Sequence, residues 1–209
     1  MFAIGIYLPF MNGANNLFVK RFCYNPVGAG KALVVTYVVA VVFSPLLGLL
    51  IDKVGHKRYF IMLCMLVFTV GELIILLYPQ CQIGDPHENG AIAGLVFIGI
   101  GYCLYGNSII PAVSLVVKKR ITGTAFGLMQ TMESLSLTFF PLINGSLIEH
   151  GSKDPNNPTG YRHSSLFFVM IGLLGMLTSV GLLFIPDKFK RKLDRVSKDK
   201  MEVKHGENG

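Results

Sequence analysis

Long runs without a charged residue are the feature that most constrains the fold of this chain. Residues 32–51 contain twenty consecutive positions with no Asp, Glu, Lys or Arg, and similar runs recur along the sequence. About twenty apolar residues in a helix span the hydrocarbon core of a bilayer. Only 15% of the 209 residues are charged, against roughly 25% in a typical soluble domain. The pattern predicts an all-α membrane protein.

Six spans account for residues 1–187, which form one predicted transmembrane bundle. They are expected at about residues 1–19, 32–51, 59–78, 91–117, 123–148 and 164–186. The first span is the weakest, because Asn12, Asn15 and Asn16 interrupt it. Residues 188–209 form a basic tail that we expect to be partly disordered.

The basic residues predict which side of each loop faces the cytoplasm. Alternate loops and the tail hold fourteen of the nineteen Lys and Arg residues, and the remaining loops hold five. The richer side is expected to be cytoplasmic, and it includes the C-terminus. The net charge of +7 therefore reflects membrane orientation, and we expect no nucleic-acid partner.

Two of the six spans carry polar residues on one helical face. In the fifth, Gln130 and Glu133 lie on a polar stripe opposite a leucine-rich face. In the first, Asn12 and Asn15 are spaced to share a face. Such residues line a water-filled cavity and bind substrate, or they hydrogen-bond to a neighbouring helix. Glu72, on an apolar stretch of the third span, is expected to make a structural hydrogen bond.

Nothing in the sequence indicates an enzyme. It contains no nucleophile elbow, nucleotide-binding loop or metal-ligand spacing, so we expect no cofactor and no metal. Cys64 and Cys103 fall inside apolar spans and are expected to be packing residues. Cys23 and Cys81 fall in loops on the same predicted side, where a disulfide between them is left open.

The loop between the second and third spans has the most specific pattern. It contains an ordered series of glycine, acidic and basic residues, Gly48, Asp52, Lys53, Gly55, Lys57 and Arg58. This order resembles the G-x-x-x-D-(R/K)-x-G-(R/K)-(R/K) loop of the major facilitator superfamily, with His56 displacing the first base after Gly55 by one place. The resemblance implies that Asp52 and its neighbours form a cytoplasmic gate.

The resemblance extends over nearly the whole chain. The stretches SPLLGLLIDKVGHK, IIPAVSLVV and TGTAFGLMQTMESLSL are similar to helices eight to eleven of lysosomal dipeptide exporters in this superfamily. The chain would then be the C-terminal half, helices seven to twelve, of a twelve-helix fold. In that fold helices seven, eight, ten and eleven face the cavity, which implies substrate-binding roles for Asn12, Asn15, Tyr37, Gln130 and Glu133.

The function implied is alternating-access transport of dipeptides or amino acids across a lysosomal or other internal membrane, or the plasma membrane. The alternatives are transport of sugars or organic anions, and a truncated scaffold or accessory protein that does not transport. Whether the transport is coupled to protons is left open. The expected partners are a small-molecule substrate, the lipid bilayer, a missing N-terminal six-helix half and a potential accessory membrane subunit.

Overall fold

The structure, a computed structural model, describes residues 2–55, 57–79, 88–153 and 160–181. In these ranges the chain forms six long α-helices. They are α1 (Phe2–Phe22), α2 (Pro26–Val54), α3 (Lys57–Leu77), α4 (Glu88–Val116), α5 (Thr122–Gly151) and α6 (Tyr161–Gly181). A single 3-10 turn, Lys119–Ile121, joins α4 to α5. The predicted all-α fold is confirmed.

The helices extend beyond most of the predicted spans, because turn-forming residues define their ends. Pro26 occupies the first position of α2, where its missing N–H costs nothing, so this helix begins six residues before the predicted span. At the other end Gly55 adopts a left-handed conformation (φ 75°), and its N–H donates to the carbonyl of Ile51 at 2.8 Å. Glycine favours this conformation because it has no side chain.

The central helix of the bundle is α1, which contacts each of the other five. Around it α2 packs on α4, α4 on α3, α3 on α6, and α6 on α5. The α3–α4 contact is close because glycines face each other: a methyl group on Gly94 would lie 3.1 Å from the carbonyl oxygen of Gly71 and 2.5 Å from Cγ1 of Ile75. Small residues at this contact therefore allow α3 and α4 to pack closely.

Four of the described helices, α2, α3, α4 and α6, are long and apolar enough to cross a membrane. The remaining two, α1 and α5, are as long but carry the asparagines and the polar stripe noted in the sequence. Polar spanning helices lie where a bundle or a polar cavity shields them from lipid. The polarity of α1 and α5 therefore indicates that these two helices carry the candidate site.

Several predictions fall outside the described residues. These are the basic tail at 188–209, the end of the sixth span at 182–186, His56 and Cys81. Cys23 is disulfide-bonded, whereas Cys64 and Cys103 are buried free thiols, as predicted for packing residues.

Candidate functional site

One side of the bundle, between α2 and α5, exposes the polar face of α1. Asn12, Asn15 and Asn16 are all exposed there. Phe10 and Phe18 lie on the opposite side of α1 and are buried. We call this side the open face. It is flanked by the most exposed helices of the bundle, since α5 buries only Ser136, Asn144 and Gly151.

A group of polar side chains from four helices extends from the core of the bundle, where Tyr7 and Tyr105 are buried, to the exposed Tyr37. Its members are Tyr7 of α1, Tyr37 of α2, Tyr102 and Tyr105 of α4, and Glu133 of α5, and we call it the aromatic–acid cluster. Tyr7 stacks on Tyr102 with ring centroids 4.2 Å apart. Tyr37 lies near the Tyr7 hydroxyl, and Glu133 lies within electrostatic range of the Tyr105 hydroxyl.

Local sequence explains how the cluster is assembled. Tyr102 and Tyr105 are three residues apart on α4 and therefore share a face. Gly99, one turn earlier, lets α2 approach α4 closely, because a methyl group there would lie 2.8 Å from the carbonyl oxygen of Thr36. Tyr37 is the next residue along α2, so this close approach brings its ring to the cluster.

The five predicted substrate-binding residues do not form one group. Tyr37, 51% exposed, and the partly buried Glu133 belong to the aromatic–acid cluster. Gln130 is exposed on α5 one turn from Glu133. Asn15 points towards α2, where its Nδ2 lies 3.9 Å from the place of a Gly30 methyl group.

Asn12 lines a separate cavity of about 230 Å³ between α1, α5 and α6. Pro9 and Pro141, which lie inside α1 and α5, form part of its wall. Asn144 reaches the same cavity from α5. Its Oδ1 is buried and accepts no hydrogen bond within the described part of the chain, so it offers an acceptor to a bound polar group.

Four hydroxyl groups in the middle of α5 donate hydrogen bonds within the helix itself. Thr131, Ser134, Ser136 and Thr138 each donate to the carbonyl four residues earlier, at 2.9–3.0 Å. Such bonds make a polar helix tolerable beside lipid. The side chains of Gln130 and Glu133 are therefore more available to a solute than these four hydroxyl groups.

The predicted gating loop lies beside an open groove between α2 and α4. Gly48 and Asp52 line this groove of about 810 Å³, together with Asn107. The Asn107 Nδ2 donates to the carbonyl and the hydroxyl of Ser44, at 3.3 and 3.1 Å. A methyl group on Gly48 would lie 3.3 Å from Asn107 Oδ1, which explains why this position of the pattern is glycine.

The charged residues of the loop differ in their exposure to the surface. Asp52 and Lys53 are exposed in the last turn of α2. Lys57 and Arg58 are 6% and 8% exposed, although the sequence indicated residues at the membrane surface. The Arg58 guanidinium lies 5.9 Å from the Tyr59 ring centroid. The gating role of these residues stays a prediction.

Glu72 corrects one expectation. It is 1% exposed on α3, away from the open face, but neither carboxylate oxygen has a hydrogen-bond partner among the residues that the structure describes. The expected structural hydrogen bond is therefore not present there. The helix packs on both α4 and α6, and the Glu72 side chain is buried in this part of the bundle.

Tyr7 and Asn144 were not singled out as binding residues from the sequence. Asn144 was visible as part of the α5 stripe, but nothing distinguished it from a packing residue. Tyr7 lies near the N-terminus of an apolar run and gave no signal. Its role depends on the α1–α4 contact, which helical periodicity does not reveal.

Apolar spanning helices, a polar open face and a loop with an ordered series of glycine, acidic and basic residues define a polytopic membrane protein of the transporter class. The chain matches the family model described as Major Facilitator Superfamily over residues 1–204, and it belongs to this superfamily. Its six helices correspond to one half of the twelve-helix fold of that family.

Curated relatives share this resemblance over most of the chain. The lysosomal dipeptide transporter MFSD1 of Danio rerio is 29% identical over 182 residues, covering 87% of this chain and 36% of the relative. Those of Bos taurus and Homo sapiens are 28% and 26% identical over 196 residues, covering 94% of this chain and 38% of each relative. The chain thus spans less than two fifths of the length of these relatives.

Proposed function

We propose that this chain is the C-terminal half of a secondary transporter that carries dipeptides or amino acids by alternating access. The observation that carries the proposal is the aromatic–acid cluster, which draws residues from α1, α2, α4 and α5 and exposes Tyr37 at the surface. Residues drawn from several helices at one level of a bundle sense substrate and transmit its binding to helix movement. The relatives' names, as lysosomal dipeptide transporters, support this substrate class and a lysosomal membrane.

The chemistry of the cluster suits a zwitterionic peptide better than an organic anion. Glu133 supplies a carboxylate for an ammonium group, and the tyrosine hydroxyls donate to or accept from peptide groups. A carboxylate within a membrane is costly and is retained where it binds or transfers charge. Sugar transport is the alternative that uses the same hydroxyl groups without requiring the acid.

The open face also supports a second six-helix unit as the partner. On α2, large apolar side chains are exposed on several turns, with Val41 75% and Leu49 73% exposed. A cavity closed on one side only cannot alternate access, so the proposed transporter needs a second half to cover this face. Asp52 would then latch the cytoplasmic side.

Counterflow of labelled dipeptides into proteoliposomes bearing the full-length protein, with both six-helix halves, tests the proposal. Glu133→Gln is expected to reduce uptake about tenfold or more, because hydrogen bonds to charged groups contribute about 1.5–3 kcal/mol. Glu149→Gln removes a carboxylate from the exposed end of the same helix and serves as the matched control. Unchanged uptake and unchanged pH dependence in Glu133→Gln would exclude the proposed role of this residue.

The substrates tested separate the alternatives. Uptake of sugars in place of dipeptides would favour the sugar alternative. A protein that reconstitutes into liposomes but exchanges neither dipeptides, sugars nor organic anions would instead be a scaffold or accessory subunit.

A further inference from the structure

A second polar site lies at the end of the bundle opposite the Lys57–Arg58 loop, apart from the aromatic–acid cluster. A cavity of about 460 Å³ opens there between the end of α1, the end of α3 and the start of α6. Its wall combines two arginines with apolar groups and consists of Arg21, Leu76, Leu77, Tyr78, Pro79, Arg162 and Leu166. We call it the arginine cavity.

Arg21 is buried in this wall and held in one position. It is 2% exposed. One Nη donates to the hydroxyl of Ser165 at 2.8 Å, and the other donates to the carbonyls of Leu76 and Tyr78 at 2.8 and 3.2 Å. The Nε is also buried, yet it has no acceptor in the described ranges. A fixed guanidinium with an unused donor is prepared for one more acceptor.

The charge of the arginine cavity is as unusual as its geometry. All three acceptors of Arg21 are neutral oxygens. Burial and, to a smaller extent, the positive charge of Arg162 together lower the pKa of Arg21 from 12.5 to about 10. The Arg21 guanidinium therefore stays protonated at neutral pH. Two cations facing one cavity repel each other, and an anion between them would relieve both the repulsion and the burial.

The position of the cavity indicates where such an anion comes from. Arg21 follows the first predicted span by two residues, and Arg162 precedes the sixth by two, so both lie at the depth of lipid headgroups. Leu77 and Leu166 in the same wall are 73% and 44% exposed and face outward. An ion from water gains nothing from these leucines, whereas an acyl chain packs against them.

We propose that the arginine cavity binds the phosphate group of a membrane phospholipid. Arg21 Nε and the Arg162 guanidinium would donate to the phosphate oxygens, since guanidinium groups match phosphate geometry. Leu77 and Leu166 would contact the acyl chains. A bound lipid would link α1, α3 and α6 at this end of the bundle.

Native mass spectrometry of the purified protein with added lipids tests this proposal. The probes are phosphatidylglycerol, a diacylglycerol with the same acyl chains, and inorganic phosphate. Phosphatidylglycerol is expected to bind more tightly than either of the other two. Equal binding of the diacylglycerol would overturn the phosphate site, and equal binding of inorganic phosphate would overturn its assignment to lipid.

Three variants test the residues. Arg162→Gln changes an exposed side chain and is expected to weaken phosphatidylglycerol binding about fivefold. Arg21→Gln is expected to weaken it about tenfold or more, because it removes a charged hydrogen-bond donor. Lys153→Gln, a matched loss of exposed charge outside the cavity, should leave binding unchanged. If Arg162→Gln binds as tightly as the unaltered protein, the proposal is wrong, whether or not Arg21→Gln folds.

Discussion

Gly99→Ala is the substitution whose effect follows most directly from the structure. The added methyl group would lie 2.8 Å from the carbonyl oxygen of Thr36 and 3.1 Å from the Cβ and Cγ1 of Val39. The nearest of these atoms belongs to the backbone of α2 and cannot rotate away. The two helices must therefore separate, and overpacking of this kind costs about 1–3 kcal/mol.

Gly106→Ala on the same helix is the matched control. Nothing lies within 4 Å of the methyl group that it adds. Both substitutions gain the same helix propensity, about 1 kcal/mol per Gly replaced by Ala. The difference between the two variants therefore isolates the α2–α4 contact and should be about 1–3 kcal/mol, with Gly99→Ala the less stable.

Denaturant or thermal unfolding of both variants in detergent measures this difference. Because the α2–α4 contact brings Tyr37 to the aromatic–acid cluster, Gly99→Ala should also lower transport, whereas Gly106→Ala should not. Equal unfolding midpoints for the two variants would show that α2 and α4 are not in close contact at Gly99, and the assembly of the cluster would have to be revised.

Three further predictions concern the groove and the cluster. Asn107→Ala removes hydrogen bonds to α2 and should lower the free energy of unfolding by about 0.6–1.7 kcal/mol. The control is Ser114→Ala, which removes a hydrogen bond to the carbonyl of Pro111 in the same helix and should cost less than half of that. Equal losses in the two variants would contradict the assignment of Asn107 to the α2–α4 groove. Asp52→Asn should slow dipeptide counterflow at least severalfold while leaving the unfolding midpoint unchanged, since Asp52 is exposed; normal transport rates would remove it from the gate. Tyr102→Phe should keep the stacking on Tyr7 and nearly the full free energy of unfolding. Tyr102→Ala should lower that free energy by about 0.5–1.5 kcal/mol beyond the loss due to buried area. An equal loss in both variants would show that the hydroxyl, not the ring, stabilises this contact.

The six helices could be predicted from the sequence because bilayer thickness and helix rise fix the length of an apolar run. The α4 glycines and the buried thiols of Cys64 and Cys103 followed from the same local patterns. Helical periodicity also placed Gln130 and Glu133 on one stripe, since it depends on nothing outside α5. These features need only a residue and its neighbours within a few turns.

The partners of each helical face were decided by the tertiary structure alone. Asn12 and Asn15 share a face in the sequence, yet one lines the cavity beside Asn144 and the other points towards α2. Tyr7 joins Tyr102 only because α1 lies at the centre of the bundle. Arg21 looked like a residue of an ordinary loop, and only the packing of three helix ends buried it. Periodicity determines which residues lie together on a helix, but crossing angles and helix order determine what that face meets.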